Sequence, residues 1–165
     1  MPLDRFKTAQ QDKSSGFDTA IAELQAGRKT SHWIWYVFPQ LASLGRSSTA
    51  RFYGLSDLDE ACDYLRDPLL RERLLHATGV VEGHLAREIP LTHLMGSETD
   101  SYKLVSCLTL FELVAKKVRE ANPGTSDPSL EKFSASCAHV LAIAESQGFP
   151  CCSHTLLAVT SPNKA

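Results

Sequence analysis

Nine consecutive residues, His32-Trp33-Ile34-Trp35-Tyr36-Val37-Phe38-Pro39-Gln40, gather an imidazole, a phenol, an amide and two indoles. Written as a helix, the stretch puts His32 and Tyr36 on one side, one turn apart. Indoles are flat surfaces on which a ring stacks, and the polar groups among them would fix its orientation, as in the wall of a small-molecule pocket. The same residues also suit a plain aromatic core with His32 at a helix start. Lys103 is the second candidate. It falls inside the apolar arc of a long helix, and near the helix N-terminus, where the macrodipole disfavours a cation. Two local rules broken at one position point to a functional site. A partly desolvated ammonium can meet an anion or, with a lowered pKa, act as a base. Snorkelling along the apolar surface is the bland alternative.

Beside Lys103 run Tyr102, Ser106 and Thr109, at helical i, i+4, i+7 spacing. Their hydroxyls would line a cavity shared with Lys103, or bond back to helix carbonyls. Arg28, Lys29, Arg46 and Arg51, with Ser47 and Ser48, form a basic group. The chain is +3 up to residue 55 and therefore −5 beyond it, which permits an anionic small molecule. Gly45 before Arg46-Ser47-Ser48 is too little for a phosphate loop, and neither a Walker nor a dinucleotide fingerprint occurs. No nucleophile elbow or triad order marks a hydrolase.

Two functions follow from these residues. In one, the protein binds or transforms an anionic, ring-containing metabolite, nucleotide or ADP-ribose-like. His32, Tyr53, Lys103 and Thr109 would orient it or move protons. Trp33, Trp35, Tyr36, Gln40, Arg46, Ser47, Arg51 and Ser106 would bind it. The chemistry would be metal-free and cofactor-free acid/base work, worth about 10²–10⁴-fold per positioned group. Both versions require Lys103 and His32 to meet around one hollow. In the other, the protein is a non-catalytic interaction module with the aromatic motif as its core. Turnover and oligomeric state are left open.

The elements that must position these residues read as helices. Asp67-Pro68 and Asp127-Pro128 are N-caps followed by proline at the first helical position. The first opens a stripe of Leu70, Leu74, Val81 and Leu85, with breaks possible at Gly79 and Gly83. The second carries Leu130, Phe133, Cys137, Val140, Leu141 and Ala144, with a stop at Gly148. Ser56 precedes LDEACDYL as a weak capping-box variant. Residues 3–11 and Phe17 to Leu24, closed by Gly27, mark two more helices. The longest is expected from about residue 100 to 121. There Leu104, Cys107, Leu108, Leu110, Phe111, Val114, Ala115 and Val118 fill an arc of about 160°, wide enough for a central helix. No partner strand is visible for residues 32–38, so helix is the reading there. Ser161 to Ala165 read as a frayed end.

Composition bounds the rest. A chain of 165 residues, 43% hydrophobic and 22% charged, is one domain with a proper core: an all-α, single-domain array of helices over residues 1–150, with a divergent segment at 151–165. It holds no apolar run long enough to span a membrane. The net charge of −2 argues against a nucleic-acid binder held by phosphate neutralisation. The N-terminal residues lack the apolar core of a secretory signal. Five cysteines form no framework, and Cys151-Cys152-Ser153-His154 lacks metal-site spacing. A reduced, cytoplasmic setting is expected.

Several separated strings resemble, in order, the hallmarks of the domain-of-unknown-function 1810 family. They are Gly27 to Gln40, Leu44-Gly45-Arg46-Ser47, Ala50-Arg51-Phe52-Tyr53-Gly54, Asp59-Glu60-Ala61, Tyr64-Leu65 and Lys103 to Phe111. The resemblance covers roughly residues 3–145 and implies a small all-helical fold, which supports the helical choice at 32–38. Leu94-Met95-Gly96 departs from the family's usual Ile-Phe-Gly, and Cys107 stands where a second serine is common. Some members carry the label calpastatin. A compact globule does not suit that label, because calpastatin inhibits through disordered repeats.

Overall fold

A computed structural model of the chain describes residues 3–124 and 127–160. The helices start where polar side chains meet the otherwise unpaired N–H groups of a first turn. The Asp67 carboxylate accepts from the Leu69 and Leu70 amides at 3.0 and 3.1 Å, and Pro68 follows it. Asp127 accepts from the Leu130 amide ahead of Pro128. Ser97 accepts from the Asp100 amide at 3.1 Å. The order is α1 (Asp4–Gln10), α2 (Phe17–Gln25), α3 (Ile34–Val37), a 3₁₀ turn (Ala42–Leu44), α4 (Ser48–Phe52), α5 (Leu58–Arg66) and α6 (Pro68–Ala86), then α7 (Leu91–Met95), α8 (Glu98–Ala121), α9 (Pro128–Ser146) and α10 (Ser153–Thr160). The fold is all-α. The extended pairing among the described residues is an isolated bridge between Leu41 and Leu55. No helix among them is long and apolar enough to cross a membrane. Residues 161–165, expected to fray, lie outside the described residues.

α8 is the central element. Helices α5, α7, α9 and α10 pack on it, while α6 packs on α9, α2 and α5. Every residue from Leu104 to Leu110, and Phe111 after it, is buried. The apolar arc expected from the sequence is thus exceeded: of the polar strip beside it, Ser106 and Thr109 are covered too, while Tyr102 stays exposed. One apolar cluster joins Phe6 of α1 to Phe149. Cys62, Cys107 and Cys137 are buried free thiols within it.

The structure corrects several local expectations. Residues 32–38 hold only a single helical turn, Ile34–Val37. Phe38, at φ −125° and ψ 73°, is forced out of helical geometry by Pro39. At the other end, the Thr30 and Ser31 amides are held by Glu23, so the backbone ahead of Trp33 cannot join the helix. Asp57, not Ser56, caps α5. Its carboxylate accepts from the Glu60 amide, and Glu60 in turn accepts from the Ser56 amide at 3.0 Å, a capping box one residue later than expected. α6 runs unbroken through Gly79 and Gly83, because its buried face holds it and both glycines open onto free space. The 3₁₀ turn, α4, α7 and α10 are not marked in the sequence. They are short, and packing rather than periodicity makes them.

Candidate functional site

Two segments built from local hydrogen bonds border the first turns of α8. The first is the segment from Gln40 to Leu55. Its ends are tied by the Ala42 amide on the Leu55 carbonyl at 2.8 Å and the Leu55 amide on the Gln40 carbonyl at 2.9 Å. The close approach explains Gly54: a Cβ there would lie 2.3 Å from the Ala42 Cα. Ser47 caps α4 by accepting from the Ala50 amide. Arg51 braces the loop by donating to the Gly45 and Arg46 carbonyls, both at 3.3 Å.

The second is the loop between α2 and α3. The Glu23 carboxylate accepts from the Thr30 and Ser31 amides at 2.8 Å, from the Trp33 indole at 2.9 Å and from the Ser31 hydroxyl. Burial pushes this carboxyl up, but the four donors outweigh it and hold the pKa down at about 2. Lys29 is buried, over the Trp33 ring at 5.0 Å, and its ammonium meets Asp100 of α8 at 2.7 Å. Lys103 lies 3.9 Å from the other oxygen of Asp100 and 5.4 Å from the centre of the Trp35 ring, within cation–π range. Asp100 therefore divides its charge between a tight partner, Lys29, and a loose one, Lys103.

Between the Gln40–Leu55 segment and α8 lies a groove of about 590 Å³, lined by Gln40, Leu44, Gly45, Arg46, Ser47, Ala50, Thr99, Tyr102, Lys103 and Ser106. It leads to a crevice of about 10 Å³ bounded by Trp35, Phe38, Tyr53 and Gly54, with Gln40, Ala50 and Lys103 shared by both. Among the residues expected to form a site, the structure thus brings together Lys103, Gln40, Arg46, Ser47 and Ser106, with Trp35 and Tyr53 at the inner end. Arg46 and Ser47 are exposed on one wall.

The others are elsewhere. His32 is exposed and lines neither hollow; its ring is 6.5 Å from that of Trp35. The expected meeting of His32 with Lys103 around one hollow does not occur: Lys103 lines both hollows and His32 neither. Trp33 is fully buried, with its N–H spent on Glu23. Tyr36 is buried and donates to the Ser15 carbonyl at 2.6 Å. Thr109 is buried, donating back to the Val105 carbonyl at 2.7 Å and accepting from the Cys152 amide. The segment leading into α10 has taken its place in the structure. Arg51 is turned to its own loop. Sequence reasoning missed Asp100, Glu23 and Thr99, and it read Lys29 as part of a basic group open to an anion, whereas its charge is met by Asp100. Glu23 and Asp100 carried no local signal, since their partners lie across the loop or 71 residues away. Among the described residues no group of three or more His, Cys, Asp or Glu side chains is placed to hold a metal ion.

The family described as protein of unknown function (DUF1810) matches residues 1–138. The chain belongs to this family. The conserved hypothetical protein Rv1873 from Mycobacterium tuberculosis, known from a crystal structure at 1.38 Å, is similar to this DUF1810 chain over 95% of each, at 32% identity and a TM-score of 0.73. No curated protein matches. The string Gly27 to Gln40, on which the resemblance to DUF1810 first rested, divides in this chain into two tasks. Within Gly27 to Trp33 lie Lys29, Thr30, Ser31 and Trp33, which build the Glu23 and Asp100 clamps, whereas Trp35 lines the crevice and Gln40 both crevice and groove.

Proposed function

We propose that the groove binds an anionic, ring-containing metabolite, of nucleotide or ADP-ribose-like chemistry. The observation that carries this reading is Lys103. Its ammonium is held against the Trp35 ring where the groove narrows, loosely paired to Asp100, with Arg46 across the same hollow. Two cations and the hydroxyl of Ser47 meet negative oxygen, and Tyr102, 48% exposed at the rim, is the surface on which a ring stacks. A volume of about 590 Å³ suits a metabolite of that size. Tyr53 and Lys103 sit at the inner end, whereas His32 and Thr109 do not, so the meeting with His32 that the sequence reading required is replaced by that of Lys103 with Trp35 and Arg46, which supports binding and not proton transfer.

The test is a panel of nucleoside monophosphates, ADP-ribose and sugar phosphates, screened by thermal shift and then by calorimetry. Ligand at one hundred times its Kd stabilises by about 2.7 kcal/mol. Lys103→Gln should weaken binding about 10–100-fold, the worth of one charged hydrogen bond. If no compound raises the Tm, or if a hit binds Lys103→Gln as it binds the wild type, the reading fails. A protein partner is the second reading. It rests on Phe52, 60% exposed next to the crevice residue Tyr53, and predicts that Phe52→Ala abolishes co-purification of a partner while leaving the Tm unchanged.

A further inference from the structure

The Trp35 indole N–H is buried and has no hydrogen-bond partner in the protein. Indole is a donor only, and a buried donor left unpaired costs free energy that native proteins rarely tolerate without a reason. Trp33, two residues earlier, shows the ordinary solution, since its N–H donates to Glu23 at 2.9 Å. The crevice that Trp35 lines has a volume of about 10 Å³, room for a single oxygen-sized group. The Lys103 ammonium and Tyr53 border the same space. The occupant that suits an unpaired N–H beside a cation is an acceptor carrying negative charge.

We propose that the crevice is an oxyanion subsite, in which the Trp35 N–H and the Lys103 ammonium together take one oxygen of a phosphate or carboxylate group. The subsite rests on the groove reading above and deepens it. The anionic end of the ligand points inward to Trp35, and its ring lies outward toward Tyr102. The remaining oxygens of the group face Arg46 and Ser47 across the wider groove. The size of the crevice limits it to one oxygen, so what enters is a single non-bridging phosphate oxygen or one carboxylate oxygen, and the rest of the group stays in the groove.

The experiment uses ¹⁵N-labelled full-length protein titrated with inorganic phosphate and, in a parallel arm, with acetate. The chain has two tryptophans, so two indole N–H signals appear. Trp35→Phe assigns them, and the Trp33 signal, locked on Glu23, is the internal control. We expect the Trp35 indole proton to move downfield and saturate, together with the amides of Ser47 and Ser106, while Trp33 stays in place. Lys103→Gln should weaken the apparent affinity at least tenfold. The arm that moves Trp35 tells phosphate from carboxylate. Movement of the groove amides with Trp35 unchanged would overturn the subsite and leave the groove reading intact. Movement of Trp35 without the groove amides would uphold the Trp35 contact and overturn the placing of the remaining oxygens against Ser47. No movement of Trp35 with either anion overturns the subsite, and the metabolite panel then decides the groove separately.

Discussion

Replacing Glu23 with glutamine tests the loop that holds Lys29 and, through Asp100, the first turn of α8. The amide keeps one oxygen for the Thr30, Ser31 and Trp33 donors but loses the charge that strengthens all of them. A carboxyl held at about 2 against an ordinary value near 4.5 corresponds to about 3 kcal/mol at neutral pH. Partial exposure screens this, and roughly 2–3 kcal/mol is the expected loss for Glu23→Gln at pH 7. The pH dependence fixes the cause. A depressed carboxyl contributes its stability above the unfolded-chain pKa and loses it as the pH falls through the folded value. The gap between wild type and variant should therefore be full at pH 6–7, shrink below about pH 5 and close near pH 2. Urea unfolding at half-unit pH steps, followed by far-UV circular dichroism, measures it, and carboxyls common to both proteins cancel in the difference. A gap that keeps its size down to pH 2.5, or none at pH 7, would refute the account of Glu23 as a charged acceptor.

Other substitutions probe the frame around the groove. Gly96, at φ +82°, would place a Cβ 2.7 Å from the Lys29 carbonyl, so Gly96→Ala should destabilise by about 2 kcal/mol or more, read as a lower urea midpoint. Gly79 and Gly83 lie within α6 with nothing within 4 Å of a Cβ; the double alanine variant should gain about 1–2 kcal/mol and a higher Tm. Burial raises the pKa of the thiols of Cys62, Cys107 and Cys137. A thiol reagent at pH 8 should therefore label only Cys151 and Cys152 in the native protein, and all five cysteines in denaturant.

The helices were legible where a cap met a long apolar stripe. Asp67-Pro68 and Asp127-Pro128 start α6 and α9 where their residue types require it, and the arc from Leu104 to Val118 marks α8 as central. The 3₁₀ turn, α4, α7 and α10 were not legible, because so short a segment has no clear period of its own and forms when neighbours bury it. In the groove, Lys103 announced itself by violating its helix face, and Arg46, Ser47 and Gln40 by their residue types. His32, Trp33, Tyr36 and Thr109 have equally suggestive side chains, and the tertiary structure gave each of them another place or partner: solvent, Glu23, Ser15 and the segment before α10.

The amino-acid sequence alone determined an all-helical chain with one buried central helix, since caps and apolar spacing act over a few neighbouring residues. Which polar groups share a hollow was decided only by tertiary packing. A hydrogen bond such as Glu23 with Trp33, or an ion pair such as Lys29 with Asp100, depends on separation in space, and no spacing along the chain encodes that distance.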